Sequence, residues 1–190
     1  VGSEMCIRDR STTASIDMPR VMSQVSVFLR QDDAVTEEIK ISNVQVSNIP
    51  RYSYLIDQQD TDNTNLNLFN GPEFTISASG GGKEYNGKQY HPFPTAIIAE
   101  KSFYKDGADD ETKAADPDYA AYIFINATYG GIPTTYKILL REGDANFRLL
   151  RNTNYNVYAT IKQIGSKGIY VVIEPVKLYN ICLLYTSPSP

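Results

Sequence analysis

The sequence predicts an all-β fold, an antiparallel sandwich of two sheets with about seven or eight strands and little or no helix. The clearest observation is a period-2 pattern in which Tyr155, Val157, Ala159 and Ile161 alternate with more polar residues, as in a half-buried strand. Similar short segments recur along the chain with Gly, Pro, Asn and Asp between them, which is typical of a sandwich. No segment holds apolar residues at helical spacing over three turns.

Each predicted strand is an alternating or apolar segment that ends at a turn signal. Residues 39–46 change phase by one position, which predicts a β-bulge near Ser42 and Asn43. Residues 119–129 are apolar on both faces and predict a central strand. Residues 165–168 predict a hairpin turn. The predicted strands lie in residues 21–30, 39–46, 52–56, 74–78, 119–129, 136–140, 155–161 and 169–173.

A polar corner precedes the strand at 155–161. Residues 149–155 read Leu-Leu-Arg-Asn-Thr-Asn-Tyr, so Arg151, Asn152 and Tyr155 stand where the chain must turn before it pairs. These are strong hydrogen-bonding residues, and Asn tolerates the backbone conformations of tight turns. We therefore predict a structural corner built on these three residues.

Charge and hydropathy exclude two classes of partner. The chain has 190 residues with 18 Lys and Arg against 22 Asp and Glu, a formal net charge of -4. No basic stripe is present to neutralise phosphates, so we predict no nucleic-acid binding. No segment approaches the roughly 20 consecutive apolar residues of a membrane-spanning helix, so we predict that the chain does not span a membrane.

The two ends differ from the rest of the chain. Residues 1–10 and 182–190 resemble peptides translated from sequencing-adapter DNA at the ends of metagenomic contigs, and we predict that both are foreign. Both cysteines, Cys6 and Cys182, lie in these segments, so the pair supports no disulfide or compartment argument. The predicted organisation is one domain, residues 11–181. On this interpretation the native start is lost, and a missing targeting segment is uninformative.

The sequence predicts that the chain is not an enzyme. Residues 82–89 match the spacing of a phosphate-binding loop, but Gln89 stands where Ser or Thr must bind magnesium, and Pro92 and Pro94 exclude a following helix. A Gly-rich hairpin is the favoured interpretation. His91 is the single histidine; no nucleophile motif accompanies it, and one imidazole without an authentic thiolate makes no zinc site.

Two acidic loops leave weak calcium binding open. Asp60, Asp62 and Thr64 have an oxygen-ligand rhythm but lack the Gly and the closing Glu of a calcium loop, and residues 106–111 are a looser case. Solvated loops are favoured for both, and no cofactor or metal is predicted. Asn126-Ala127-Thr128 matches a glycosylation motif but lies in the predicted central strand.

Three motifs in the same order resemble the fimbrillins, pilus subunits of Bacteroidales-type anaerobes. Residues 18–25, Met-Pro-Arg-Val-Met-Ser-Gln-Val, are similar to the entry into the second fimbrillin domain, usually Leu-x-Arg-x-Val-Ala-Lys-Val, with Ser23 and Gln24 replacing Ala-Lys. Residues 41–50 resemble the family's strand that ends in Asn-x-Pro, and Ser-Tyr-Leu follows at 53–55. The corner at residues 149–155 is the third motif. The resemblance covers about residues 18–173 and implies a transthyretin-like or Greek-key sandwich.

The resemblance also implies a function. It implies a stalk, tip or anchor subunit of a cell-surface pilus that serves adhesion and biofilm formation, exported as a lipoprotein and anchored at the outer membrane. Family subunits add a strand from the next subunit after a protease trims the N-terminus, and the family would continue into a donor segment after residue 179. The partners would be other pilus subunits and surface ligands of host or bacterium.

Strand addition requires an acceptor edge or groove. The candidates are the alternating apolar residues of the first and last predicted strands. They are Val25, Val27, Leu29, Ile169, Val171 and Ile173. The alternative function is a surface glycan-binding sandwich, which should expose a shared patch of tyrosines, whereas a pilin should bury most of them. The patch would comprise Tyr52, Tyr54, Tyr85 and Tyr90.

Overall fold

The computed structural model describes residues 15–18, 20–51, 68–75, 81–100, 120–141, 147–178 and 181–184, and the side chains of all of these except 15–18, 166 and 181–184. Within these ranges the chain forms fourteen strands and one short 3-10 helix, Ser166–Gly168, which confirms the all-β prediction. The strands exceed the predicted seven or eight because seven of them have four residues or fewer. They are β1 Ser15–Met18, β2 Met22–Gln31, β3 Ile39–Ser47, β4 Ile49–Pro50, β5 Leu68–Phe69, β6 Glu73–Phe74, β7 Lys83–Tyr85, β8 Lys88–Pro92, β9 Ala96–Ala99, β10 Tyr122–Tyr129, β11 Ile132–Leu139, β12 Thr153–Ile161, β13 Ile169–Lys177 and β14 Ile181–Leu184.

The larger sheet has six strands in the order β13-β12-β2-β8-β7, with β9 also paired to β2. All its pairs are antiparallel except β2 with β12, which run parallel from Gln24 opposite Asn154 to Gln31 opposite Ile161. The predicted sandwich was purely antiparallel, and this pair departs from it. A sequence pattern gives strand direction only between neighbours joined by a short turn, and more than a hundred residues separate these two strands.

The smaller sheet has four antiparallel strands in the order β11-β10-β3-β6. Asn126 pairs with Asn43 and Ala127 with Ile41, so Ser42 is the extra residue of a bulge, as the phase slip predicted. β10 lies between β11 and β3, which confirms the predicted central strand.

The core lies between the inward faces of these two sheets. On β12 the alternating residues are at most 1% exposed, which confirms the period-2 pattern; they are Tyr155, Val157, Ala159 and Ile161. β2 faces them with Val25, Val27 and Leu29, and the smaller sheet contributes Val44, Ile123, Ile125 and Tyr136 among others. The two apolar faces exclude water from each other, which is the packing that defines a sandwich.

Two tight turns have the residues that their backbones require. β12 and β13 form a hairpin, as predicted, through Gly165, whose φ of 83° disfavours any side chain, and the 3-10 helix. β7 and β8 form a second hairpin across Asn86 and Gly87, with φ of 50° and 70°. Positive φ at both positions is the signature of a type I′ turn. This hairpin occupies residues 83–92. Residues 82–89, which match the spacing of a phosphate-binding loop, therefore lie almost entirely in a hairpin, the interpretation that the sequence favoured.

Short strands form two further sheets. β4 pairs with β5, and β1 pairs with β14 in a separate two-stranded sheet. In the β1–β14 sheet Asp17 pairs with Cys182. The first residues of the segment 182–190, which the sequence analysis predicted to be foreign, therefore lie in a strand. The foreign origin of both ends and the domain boundary at residue 181 remain predictions. The strand predicted at 52–56, most of the strand at 74–78 and both acidic loops lie outside the described residues.

Candidate functional site: the corner and the edge strand

The predicted corner is a hydrogen-bonded turn at the start of β12. Tyr155 is fully buried, and its hydroxyl accepts a hydrogen bond from the backbone N–H of Leu150 at 2.7 Å. The Thr153 hydroxyl donates to the Arg151 carbonyl at 3.1 Å. A buried tyrosine whose hydroxyl reaches back to the backbone a few residues upstream is a tyrosine corner, a device that recurs in sandwich domains.

Asn152 connects the corner to two other strands. Its φ of 56° lies in the left-handed region, which Asn tolerates better than most residues. Its N–H donates to the Met22 carbonyl at 3.0 Å, where β2 begins. Its side-chain amide donates to the Leu178 carbonyl at 3.0 Å, and the Leu178 N–H donates back to the Asn152 carbonyl at 2.7 Å. The ends of β2, β12 and β13 are therefore held together at one residue.

Arg151 forms a two-pronged ion pair with Glu100, a residue that the sequence analysis missed. The Arg151 Nε and Nη2 atoms lie 2.5 and 2.7 Å from the two carboxylate oxygens of Glu100, just after β9. The side chains are only 15% and 11% exposed. Burial of two opposite charges is tolerated when, as here, both carboxylate oxygens accept a hydrogen bond from the same guanidinium. The available signal in the sequence was a single acidic residue directly after the apolar residues 96–99.

Val25, Val27 and Leu29 lie on a central strand, so they offer no edge for strand addition, and their part in a groove stays a prediction. β2 lies between β12 on one side and β8 and β9 on the other. The three side chains are at most 3% exposed, because a central strand beneath a second sheet has no open side. Alternating sequence identifies the face of a strand but not its neighbours, so it could not separate an edge strand from an interior one.

β13, which carries Ile169, Val171 and Ile173, lies at the edge of the larger sheet as described, and its part in subunit assembly stays a prediction. Within the described residues it pairs only with β12. These three inward side chains are packed against the core but only half-buried, although the row beside them on β12 is almost completely buried. We call this strand, with its unpaired backbone and its half-covered inward row, the assembly edge.

The edge of the smaller sheet differs from the assembly edge. β11 is also paired on one side only within the described ranges. However, its inward residues Tyr136 and Ile138 are 0% and 4% exposed, so the core behind the middle of β11 is closed, and only Ile132 at the start of this row is exposed, at 58%. The Tyr136 hydroxyl donates to the Gln163 carbonyl at 3.1 Å, which seals β11 against the loop that leads to β13. A continuous row of half-covered apolar side chains therefore lies beside the open edge of β13, whereas the middle of β11 has none.

The tyrosines of the β7–β8 hairpin are packed rather than displayed. The Tyr85 ring stacks on Tyr158 with centroids 3.9 Å apart, and Tyr90, 7% exposed, meets Tyr158 edge-on. The Tyr85 hydroxyl donates to Glu174 at 2.7 Å, and this carboxylate raises the pKa of Tyr85. Burial, followed by the charge of Glu174, also raises the pKa of Tyr158. Both phenols stay protonated, and the cluster ties the hairpin to β12 and β13.

Other sequence candidates have ordinary surroundings. His91 is exposed on β8. Asn126 is half-buried on β10 and bonds Asn43 and Thr135 across neighbouring strands at 2.8 and 2.9 Å. In the part of the chain that the structure describes, no group of acids, histidines or cysteines could hold a metal ion. The same residues include no helix with the length and hydropathy to cross a membrane.

Solved structures of similar fold include two proteins from Bacteroidales. No family model matches the chain, and no curated protein matches it in sequence. Across 83% of its length the chain is similar to a candidate cell adhesion protein from Parabacteroides distasonis, with a TM-score of 0.53 and 14% identity. A weaker likeness, with a TM-score of 0.49 and 12% identity over 84% of the chain, is to the C-terminally truncated tip fimbrial protein Mfa3 from Porphyromonas gingivalis.

The likeness covers only part of those structures. The chain spans 52% of each, about half their length. At this identity the first likeness shows the fold, and the fold agrees with the sandwich that the fimbrillin motifs imply.

Proposed function

We propose that the protein is a non-enzymatic structural subunit of a cell-surface pilus that serves adhesion and biofilm formation. Two observations of different origin support this proposal. Three sequence motifs occur in fimbrillin order, and the fold is similar to that of a candidate cell adhesion protein. The observation that carries the proposal is the assembly edge, because polymerisation by strand addition requires an open edge with uncovered apolar residues beside it.

The geometry of β13 suits strand addition. A strand that pairs with its outer edge would satisfy the backbone N–H and C=O groups that face away from β12. Alternate side chains of the added strand would lie next to Ile169, Val171 and Ile173 and complete their burial. Hydrogen bonds would give strength, and the fit of the alternate side chains would select the partner.

Partners and location follow from the same proposal. The partners are other pilus subunits, which donate or accept the strand, and surface ligands of a host or neighbouring bacterium. The protein is exported as a lipoprotein and held at the outer membrane. The net charge of -4 offers no basis for nucleic-acid partners.

The tyrosine arrangement disfavours the alternative, a glycan-binding platform made of tyrosines. Tyr85 and Tyr90 pack against Tyr158, so they offer no shared exposed face for stacking a sugar. Tyr136 and Tyr155 are fully buried as well. Tyr52 and Tyr54 lie outside the described residues, and their part of the platform stays a prediction.

The test compares assembly of the full-length gene product after protease trimming with that of two matched variants. Val171→Glu puts a carboxylate in the row that the added strand must cover, which is costly to bury unpaired. Val176→Glu makes the same change on the opposite face of β13, where the residue is 46% exposed. We expect detergent-resistant ladders and rods, seen by gel and electron microscopy, from wild type and Val176→Glu but not from Val171→Glu.

Folding of each variant is checked by circular dichroism and urea unfolding. If Val171→Glu does not fold, the milder Ile173→Thr replaces it, with reduced assembly expected. Rods from the Val171 or Ile173 variant at wild-type yield would contradict addition at β13. No rods from the trimmed wild type would contradict the pilus assignment itself.

A further inference from the structure

The hydrogen bonds at the two ends of the β12–β13 ladder show which residues of β13 turn their backbone groups outward. In an antiparallel pair, residues that exchange both backbone hydrogen bonds alternate with residues whose N–H and C=O groups point away from the partner strand. Just beyond one end of the ladder, the Leu178 N–H donates to the Asn152 carbonyl at 2.7 Å. Just beyond the other end, the Lys162 N–H donates to the Gly168 carbonyl at 2.7 Å. The even-numbered residues of β13 therefore bond to β12, and the odd-numbered residues face the open edge.

A proline interrupts this outward-facing row. Ile169, Val171 and Ile173 each present an N–H and a C=O to the open edge, and their side chains form the half-covered inward row. Pro175 is the next residue of the row, but it presents only its C=O, because its nitrogen carries the ring carbon Cδ in place of a hydrogen. Pro175 and Lys177, which follows it in the row, are both exposed. The apolar row and the series of backbone donors are therefore both broken at Pro175.

The break matters most when the edges of two copies of the chain meet. Two antiparallel β13 strands related by a two-fold axis at Ile173 would pair over their whole length, with Val171 of each copy opposite Pro175 of the other. The Val171 carbonyl would then meet the ring carbon Cδ instead of an N–H, and the symmetry repeats this contact. A carbonyl that is buried without a donor is costly. The same register places Lys177 opposite Ile169, so a charged side chain would lie beside an apolar one.

We propose that Pro175 prevents the assembly edges of two copies from pairing and so reserves this edge for a strand of different sequence. Proline on an open edge protects a sheet against unwanted pairing. A register centred on Val171 would avoid the proline, but it would join only residues 169–173, a short ladder of marginal strength. A strand of another sequence can be adapted to the proline, whereas a second copy of β13 brings the same proline with it. The block itself is independent of the pilus assignment; the reservation for another strand rests on the proposed function.

The open edge of β11 provides a matched control. Just beyond the β10–β11 ladder, the Leu140 N–H donates to the Ala121 carbonyl at 2.8 Å, so by the same alternation the nitrogen of Pro133 points to the open edge of β11. The next residues of that row, Thr135 and Lys137, are exposed. Loss of Pro133 would therefore restore a backbone donor without bringing an apolar row to the contact, and a lysine of each copy would oppose the pairing.

The experiment measures self-association of the full chain by sedimentation velocity over a range of protein concentrations. The wild type should remain monomeric. Pro175→Val supplies the missing N–H and removes the ring carbon, so it should form dimers at concentrations at least about tenfold below any at which the wild type associates. Pro133→Val makes the same change on β11 and should associate no more than the wild type.

Amide hydrogen exchange locates the contact in the dimer. The amides of Val171 and Ile173 should exchange more slowly in the Pro175→Val dimer than in the monomer, because pairing gives them a backbone partner. The amides of Thr135 and Lys137 on β11 should not change. Circular dichroism and urea unfolding check that each variant is folded. Pro175→Thr also restores the N–H, so it decides the matter if Pro175→Val does not fold.

Three results would overturn the proposal. The first is a folded Pro175 variant that stays monomeric at every soluble concentration. The second is equal association of the Pro133 variant, which would mean that any restored edge donor promotes pairing. The third is a wild-type dimer with slowed exchange at Val171, since the proline would then not block the edge. Failure of the trimmed wild type to form rods contradicts the pilus assignment and leaves the block intact, so the two can be told apart.

Discussion

The hydroxyl of Tyr155 accepts the backbone N–H of Leu150 at 2.7 Å, and this bond closes the turn through which the chain enters β12. The ring is fully buried in the sandwich core, while the hydroxyl satisfies a backbone donor that could not otherwise reach a strand partner at this bend. One residue thus serves both the apolar core and the polar corner. Its two contributions can be separated by mutation.

Tyr155→Ala should destabilise the fold by about 3 kcal/mol or more, because it removes a buried aromatic ring and leaves a cavity. Tyr155→Phe keeps the ring and should cost only about 1 kcal/mol, through the unpaired Leu150 N–H. Urea unfolding measures both. Tyr170, 58% exposed, provides the control, and both of its substitutions should be nearly neutral. Small, equal costs for both Tyr155 changes would mean that the corner carries no stability.

The Arg151–Glu100 pair should behave as a coupled unit. Arg151→Met should destabilise by about 3 kcal/mol because it leaves Glu100 charged and nearly buried. Glu100→Leu should cost a similar amount for the opposite charge, whereas the double variant should recover much of the loss. A double-mutant cycle by urea unfolding measures the coupling energy. Additive effects, with no recovery in the double variant, would show that the two charges do not depend on each other.

The Asp33 carboxylate should have a small effect on acid stability. The neighbouring Arg30 holds the folded-state pKa of Asp33 below that of an unfolded chain, which is about 3.9. Its contribution to stability is therefore complete above about pH 4 and is lost as the pH falls through the lower, folded-state pKa. Carboxyl NMR titration should show a depressed pKa for Asp33 that rises in Lys88→Gln. An unshifted pKa in the wild type would rule out the ion pairs in solution.

Deleting residues 1–10 and 182–190 together should change the free energy of unfolding by less than roughly 1 kcal/mol. β14 would lose most of its length, but its only described pairing is with β1 in a sheet separate from the two large ones. A two-stranded pair of this size adds little stability by itself. Thermal unfolding of the shortened chain measures the effect. A larger loss would show that the ends pack on the sandwich and would weaken the case for their foreign origin.

Local features of the fold could be predicted because they depend on neighbouring residues. The period-2 burial of β12, the bulge at Ser42 and the hairpin at Gly165 each follow from a few adjacent positions. The buried Tyr155 was also predictable, since the corner and the strand pattern coincide at that residue.

Relationships between distant segments could not be predicted in the same way. The parallel pairing of β2 with β12 joins Gln24 to Asn154, and no local pattern records which strands become neighbours. For this reason Val27 was assigned to an edge although its strand is central. Glu100 was missed for the same reason, because its meaning depends on Arg151, 51 positions away.

The most direct test of the central claim is amide hydrogen exchange on the trimmed full-length protein before and after assembly. Among the described residues of the two large sheets, β6, β7, β9, β11 and β13 are each paired on one side only. Of the two long ones, β13 has a continuous half-covered apolar row behind it, whereas the core behind the middle of β11 is closed. Strand addition at the assembly edge predicts that amides of Ile169–Lys177 become protected in the rods while those of Ile132–Leu139 are unchanged. Rods that protect β11, or that leave β13 exchanging as in the free subunit, would contradict the account.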